Sequence, residues 1–231
     1  AWYNSVITKP APPSGFKAYI ATPANGKQKL TYFVYTPVVN GYLTATKTSA
    51  QPAVTNGNSC YTLNGAEYGV YSNSACTSKV GTLTFNASGK ANTLTLQAGT
   101  YYLKETKAPA GYSLSSAVTS ATVTAGNTTN ASVTNRPQLD PIGVLVSKVD
   151  ADTNQNVAEG AGTLQGAQFT VKYYVGNYSS DPAAQGVAPT RKWVFETDAD
   201  GFCYFSSAYL VSGDAFYTNS SGIPSLPLGT V

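Results

Sequence analysis

The chain has 231 residues, 42% of them hydrophobic and 11% charged, enough apolar content for one large core or two to three small ones and too much for a disordered chain. Its formal charge of +3 comes from 14 basic and 11 acidic residues with the lysines scattered along the sequence, which argues against a nucleic-acid face. Histidine is absent, so Ser-His and Cys-His nucleophile systems and most catalytic zinc sites are excluded, and no glycine-rich phosphate loop is present.

Thr, Val, Tyr, Ser and Gly dominate, methionine is absent, and 21 Gly with 13 Pro punctuate short apolar runs at strand-like intervals. This composition predicts an all-β protein. No run approaches the length of a membrane span, and a start at Ala1 without methionine or signal peptide reads as an excised or processed piece.

Taken in chain order, the first forty residues hold "VITKPAPPSGF" followed by "KLTYFVYTP", a loose parallel to "LKETKAPAGY" followed by "ASVTNRP" further on. Residues 1–40 therefore read as the C-terminal tail of a preceding β domain. From residue 41 the sequence repeats itself: "GYLTATK" at 41–47 matches "GVLVSK" at 143–148, "LNGAEYGVY" at 63–71 matches "LQGAQFTVKY" at 164–173, and "LTLQAGTYY" at 94–102 matches "PSLPLGTV" at 224–231. The expected organisation is a complete β domain over 41–138 and a second copy over 139–231 that stops before its own version of "YLKETKAPAGY". "NRPQLDPIG" between them is short and stiffened by Pro137 and Pro141, so the modules are expected to stack end to end as a rod of β-sandwiches.

Side chains of a strand alternate faces, so the apolar residues two positions away show where a polar residue points. "YYLKET" puts Glu105 on the face of Tyr101 and Leu103, "YLTATK" puts Lys47 with Leu43 and Ala45, and "NASVTN" puts Asn135 with Ala131 and Val133. All three are expected to point inward. In the second copy the same test groups Lys148 with Val144 and Val146, whereas Glu67 falls opposite Ala66, Tyr68 and Val70 and faces solvent.

Residues 1–139 contain only two acids, Glu67 and Glu105, and one of them is placed in a core beside a lysine and an asparagine. Burying a charge costs several kcal/mol even after relaxation, so the trio needs compensation. A hydrogen-bonded salt bridge is one solution. The other is chemical: a desolvated lysine becomes a free amine and a buried carboxyl becomes a proton donor. Lys47 could then attack the side-chain carbonyl carbon of Asn135, with Glu105 polarising that carbonyl and shuttling protons, to give an isopeptide bond and ammonia.

"YYLKETKAPAGY" resembles the E-box of Cna B-type (prealbumin-like) domains, the modules of sortase-assembled pilins and surface adhesins of Gram-positive bacteria, and the order "K...LNGAEYGVY...AGTYYLKETKAPAGY...VTN" resembles theirs too. The resemblance covers 41–137, extends to 143–231 as a truncated copy, and is weak over 1–40. It implies an Ig-like Cna B-type sandwich with a self-formed bond between Lys47 and Asn135, Glu105 as its proton shuttle, and Lys148 as the cross-link lysine of the next domain. In the first forty residues Thr8 would occupy the glutamate position, and Lys9 in "WYNSVITK" is a distant echo of the lysine through which pilins are polymerised. The implied setting is the wall-anchored, extracellular surface of a Gram-positive bacterium, with neighbouring pilin or adhesin subunits and sortase as partners and no cofactor.

Other features carry less. Cys60 and Cys76 bracket one segment, and a Cys60–Cys76 disulfide would suit an extracellular protein, with free thiols as the alternative. "DADTNQN" at 150–156 has oxygen-rich spacing but lacks the following glycine and closing glutamate of a calcium loop, so it reads as a polar turn, and no metal site is expected. "TDADGF" at 197–202 reads as a hairpin turn, its acids forming no glycosidase pair. "SLPLGT" near the end has the letters of a sortase signal in the wrong order and reads as strand.

The 17 tyrosines suit strands and subunit contacts, and also allow sugar stacking. The expected function is thus a structural subunit of a surface pilus or adhesin stalk, its one chemical event being autocatalytic. The alternatives are a ligand-binding module of the same fold, for a host matrix protein or glycan, and an accessory domain string on a secreted glycoside hydrolase.

Overall fold

A computed structural model describes residues 16–21, 32–37 and 39–231, with side chains from residue 39 onward. Thr8 and Lys9 lie outside the described residues. Of the first forty, β1 (Phe16–Ala21) and β2 (Tyr32–Pro37) form an antiparallel pair in which Phe16 faces Pro37 and Ala21 faces Tyr32.

The chain then lays down β3 (Asn40–Ser49), a one-turn helix α1 (Pro52–Thr55), β4 (Glu67–Tyr71), β5 (Lys79–Thr84), β6 (Leu94–Gln97), β7 (Gly99–Lys107), β8 (Val118–Val123) and β9 (Thr128–Asn135). Two sheets result, ordered β6-β3-β9 and β5-β4-β7-β8. β3 and β9 run parallel, Lys47 opposite Val133 and Ser49 opposite Asn135; β4 and β7 run antiparallel, Tyr68 opposite Glu105.

The alternation read from sequence sets what each sheet turns inward. Leu43, Ala45, Ala131 and Val133 come from one sheet and Tyr68, Val70, Leu83, Leu103, Ala121 and Val123 from the other, and together with Ala66 and Phe85 they form one apolar core. Thr and Val fill the outward and inward positions of these strands because branched side chains fit a pleated, half-buried surface. The fold is all-β, as the composition predicted, and this part of it is a β-sandwich.

Beyond it come β10 (Leu139–Pro141), β11 (Val144–Ser147), β12 (Gln168–Tyr173), β13 (Arg191–Glu196), β14 (Phe202–Tyr204), β15 (Leu210–Gly213) and β16 (Ser225–Pro227). Their sheets are β12-β13-β15, β11-β14 and β10-β16. A second core gathers Val171, Tyr173, Trp193, Phe195, Cys203, Phe205 and Leu226. It is more aromatic than the first: Phe216 stacks on Trp193 and Phe195, and Phe205 meets Trp193 edge-on at 5.2 Å.

The internal repeat is visible in backbone detail. In the first copy Gly65 N donates to Phe85 O, Phe85 N to Ala66 O, Asn86 N to Lys90 O, Gly89 N to Asn86 O and Lys47 N to Gly89 O. In the second, Gly166 N donates to Thr197 O, Thr197 N to Ala167 O, Asp198 N to Phe202 O, Gly201 N to Asp198 O and Lys148 N to Gly201 O. Asn86 and Asp198 each accept from the amides two and four residues ahead, an Asx-type turn that only a short polar side chain can make. Gly89 and Gly201 sit at φ of +70° and +78°, and a Cβ on either would strike the carbonyl oxygen of the lysine it bonds, Lys47 or Lys148.

Three expectations need correction here. "TDADGF" does form a turn, but not a hairpin between paired strands: β13 pairs with β12 and β15, while β14 crosses to pair with β11. Val144 does not share an inward face with Val146; a bulge between them shifts the phase, leaving Val144 54% exposed and turning both Leu145 and Val146 toward the second core. Finally, Cys60, Cys76 and Cys203 are free thiols, so there is no Cys60–Cys76 disulfide. Cys60 lies against Gly111, beyond the Glu67 end of β4 that pairs with Lys107, whereas Cys76 lies in the turn after Tyr71 at the other end. The length of β4, about 13 Å at the usual rise, separates them, more than a disulfide spans.

Candidate functional site

The three inward polar residues meet. Lys47, Glu105 and Asn135 are 1%, 3% and 1% exposed, on β3, β7 and β9 respectively. They stand at the same level of the sandwich because the parallel β3–β9 register brings the ends of those strands together while β7 faces them from the opposite sheet.

Lys47 Nζ donates to Glu105 Oε1 at 2.8 Å and to Asn135 Oδ1 at 2.5 Å. Asn135 Nδ2 donates to Glu105 Oε1 and Oε2 at 2.9 and 2.7 Å, and to the Ser113 carbonyl at 2.8 Å. The loop after β7 completes the cage, since the Ser115 amide donates to Glu105 Oε2 at 2.6 Å. The amine nitrogen therefore lies against the very amide it would attack, and the carboxylate spans both reacting nitrogens. These contacts are held by residues of packed strands.

The electrostatics favour a reactive amine. Burial pulls the Lys47 pKa below the ordinary lysine value, and the hydrogen bond and charge of Glu105 oppose that shift only in part. The ammonium lies 4.7 Å from the Tyr68 ring centroid and 5.7 Å from that of Phe85, so the walls around it are aromatic rather than aqueous. With side chains fully screened from solvent, the Lys47–Glu105 pair is the opposite of the exposed Lys107–Glu67 pair at 3.6 Å on the outer face of the same sheet.

Strand parity identified the three polar members, and the contact expected from their chemistry differs in one respect. Glu105 does not touch the Asn135 carbonyl oxygen that it was expected to polarise; it holds the amide nitrogen instead. The carbonyl oxygen is met by the Tyr68 hydroxyl at 3.2 Å, which also receives a hydrogen bond from Lys47 Nζ at 3.2 Å. Tyr68 was legible as inward-facing, and its hydroxyl on an otherwise apolar face was the signal. The Ser113 and Ser115 backbone contacts left no mark in the sequence.

Lys148 is placed by the same turn as Lys47 but in different company. It is half-buried, and among the described residues its ammonium has no hydrogen-bond or ion-pair partner. Phe169 stands at the repeat position of Tyr68, and Thr197 at that of Phe85. Thr230 forms a two-way backbone bridge to Tyr174, just past the end of β12, in the place where β7 begins to run alongside β4.

No group of three or more metal-ligating side chains occurs among the described residues, and "DADTNQN" is a turn in which Asp150 Oδ1 accepts from the Asp152 and Thr153 amides. No helix among them is long and apolar enough to cross a membrane.

With this geometry in view, the comparisons with known proteins are informative over one region. Residues 53–137 match the family described as SpaA: Prealbumin-like fold domain, which covers β4 to β9 together with Glu105 and Asn135. That stretch is similar to prealbumin-like domains, in keeping with the resemblance carried by the E-box motif. No curated protein matches the chain. Similar solved structures include the TIE protein of Bacillus anthracis (23% identity, 82% of this chain and 32% of that one, TM-score 0.46) and GBS52, described as the minor pilin of Streptococcus agalactiae (18%, 58% and 63%, 0.34). A third is a variant of the shaft pilin SpaA from Lactobacillus rhamnosus GG (18%, 79% and 80%, 0.34). The chain spans about a third of the first of these, and likenesses at this level decide nothing about its activity.

Proposed function

We propose that the chain is part of a structural subunit of a Gram-positive surface pilus or adhesin stalk, in which Lys47 and Asn135 become joined by a self-formed isopeptide bond. The observation that carries this reading is the buried contact of Lys47 with Asn135 across Glu105. A salt bridge alone would be a costly way to fill a sandwich core, whereas the covalent bond removes the charged amine and the free amide together.

The steps follow the hydrogen bonds. Lys47 passes a proton to Glu105 through the contact at Oε1, which frees the lone pair of Nζ. Nζ adds to Cγ of Asn135, and the electron pair of the C=O bond moves onto Oδ1. Glu105 delivers its proton to Nδ2, the C–Nδ2 bond breaks as the C=O re-forms, and ammonia leaves. Glu105 then takes the surplus proton from the new amide nitrogen and passes it on to the departing ammonia as ammonium. The site reacts only once, so Glu105 serves as a proton shuttle without turnover on any external substrate.

The cross-link joins two strands 88 positions apart that lie side by side. Tension entering at β3 and leaving after β9 would pass through the new bond and spare the intervening strands, which is what a stalk under load requires. As a loop closure it stabilises by about 4 to 5 kcal/mol, by analogy with disulfides of that span. On this reading 41–138 is the complete module, 139–231 is a second module truncated before its E-box with Lys148 as its cross-link lysine, and 1–40 is the tail of a preceding one. The surroundings are those of wall-anchored proteins assembled by sortase beside copies of themselves.

The test is the intact mass of the purified chain under reducing conditions. A mass short by one ammonia, traced by fragmentation to Lys47 joined to Asn135, supports the proposal. The full sequence mass would reduce the trio to a noncovalent core pair and favour a glycan- or matrix-binding role, which binding arrays would then address.

A further inference from the structure

We propose that Tyr68 is a catalytic residue of this cross-linking reaction, its hydroxyl holding the negative charge that develops on Asn135 Oδ1. The inference rests on the isopeptide reading and extends it to a residue outside the lysine, glutamate and asparagine. Hydrogen bonds to Oδ1 among the described residues come from two groups only, Lys47 Nζ and the Tyr68 hydroxyl. Once Nζ attacks, it becomes part of the new bond and its lone pair points at Cγ, so it no longer serves that oxygen as an independent donor. Glu105 is committed to Nδ2, and the Ser113 and Ser115 backbone groups to Nδ2 and Oε2. Tyr68 is what remains to meet the oxyanion.

Its placement suits the task. Tyr68 lies directly opposite Glu105 in the β4–β7 register, and its ring is fixed edge-on against Phe85 at 5.5 Å. The hydroxyl needs no rearrangement as charge builds, and in a site closed to water such a fixed donor acts at close to its full strength. Burial raises the Tyr68 pKa and lowers that of Lys47, so with rising pH the amine is freed before the phenol gives up its proton. The second copy offers an internal contrast, since it carries the same lysine-bearing turn with Phe169 in place of the tyrosine.

The experiment follows the full 231-residue chain after cell-free synthesis is stopped, sampling intact mass over time. Wild type, Tyr68→Phe and Tyr101→Phe are compared; Tyr101 donates its hydroxyl to the Gln97 carbonyl, away from the site, and controls for loss of a tyrosine oxygen. We expect wild type and Tyr101→Phe to lose one ammonia at the same rate and Tyr68→Phe to do so slower by on the order of 100-fold, the usual effect of removing one oxyanion donor. A Tyr68→Phe chain that cross-links at the wild-type rate overturns the role of Tyr68 while leaving the cross-link standing; a wild-type chain that never loses ammonia overturns both. Should Tyr68→Phe fail to fold, as judged by protease resistance, 3-fluorotyrosine placed at position 68 keeps the shape and sharpens the donor, and an unchanged rate then counts against the proposal.

Discussion

Two lysines of this chain sit on one backbone device and have different chemistry available to them. Lys47 and Lys148 each donate their amide to a glycine at positive φ that lies within an Asx-type turn, three residues after Asn86 or Asp198. Lys47 is sealed among Glu105, Asn135 and Tyr68, whereas Lys148 is half-buried without such partners. The local turn fixes where the lysine goes. What it can do is decided by strands that arrive from far along the sequence, β7 and β9 in the first copy.

The comparison breaks most sharply at the trio. Asn135→Ala should keep the full sequence mass and lose about 4 to 5 kcal/mol of stability, read as a large fall in melting temperature, whereas Lys148→Ala should leave both unchanged within a fraction of that. Lys47→Ala should also keep the mass, and costs more, because it leaves the Glu105 carboxylate buried without its cation. The rate of cross-linking in newly made chain should fall as pH rises through the lowered Lys47 pKa, at a pH below 10.5, the ordinary lysine value, since a proton lost to solvent is no longer there for Glu105 to carry to Nδ2. In an Asn135→Ala chain, where Lys47 still titrates, the sign is fixed by the same shift. Between the lowered folded value and 10.5 the unfolded state binds more protons, so stability should rise with pH over that window.

A smaller effect tests whether the shared turn is equally important in both copies. Gly89→Ala and Gly201→Ala each force a side chain into the left-handed region, at about 1 to 2 kcal/mol, and each adds a collision with the lysine carbonyl. Gly89→Ala should in addition displace Lys47 and slow ammonia loss; Gly201→Ala should lower stability alone. Equal cross-linking rates in the two variants would show that the turn does not position the amine.

Much of the first copy was legible in sequence, because a strand with one buried face writes its orientation into every second residue. That is why Leu43, Ala45 and Lys47 could be grouped before any coordinates, and Glu105 and Asn135 with their neighbours. The same rule failed at Val144, since a bulge changes the phase and leaves no trace in a run as short as "GVLVS". The roles of Tyr68 and of the Ser113 carbonyl were hidden for another reason. Parity tells which way a side chain points but not which atom it reaches, and the division of the Asn135 amide between Glu105 and Tyr68 depends on angstrom-scale registry between sheets. Cys60 and Cys76 misled because closeness in sequence was read as closeness in space across a strand that holds them apart.

The last effect concerns how far the two copies behave as one body. Asn58 is buried and donates from Nδ2 to Tyr173 Oη at 3.2 Å and to the Leu228 carbonyl at 2.8 Å, while its Oδ1 receives the Cys60 amide. Tyr61 donates to the Gln138 carbonyl at 2.7 Å and receives the Leu228 amide at 2.8 Å. A loop of the first copy is thereby tied to a core tyrosine and the penultimate turn of the second. Asn58→Ala leaves the Cys60 amide without its acceptor and should cost about 1 to 3 kcal/mol. If the ties couple the two cores, denaturant unfolding followed by Trp193 fluorescence in a Trp2→Phe background, which reports the second core, should move together with unfolding of the first and separate from it when Asn58→Ala is added. Raising pH offers a gentler version. Burial pushes the Tyr61 pKa up to about 12 from 10.0, so the stability it contributes is complete below pH 10 and drains away as pH rises toward 12. Tyr61→Phe should flatten that part of the alkaline loss, and a chain whose cores already melt independently at neutral pH would show that these hydrogen bonds tie the surfaces without coupling their stability.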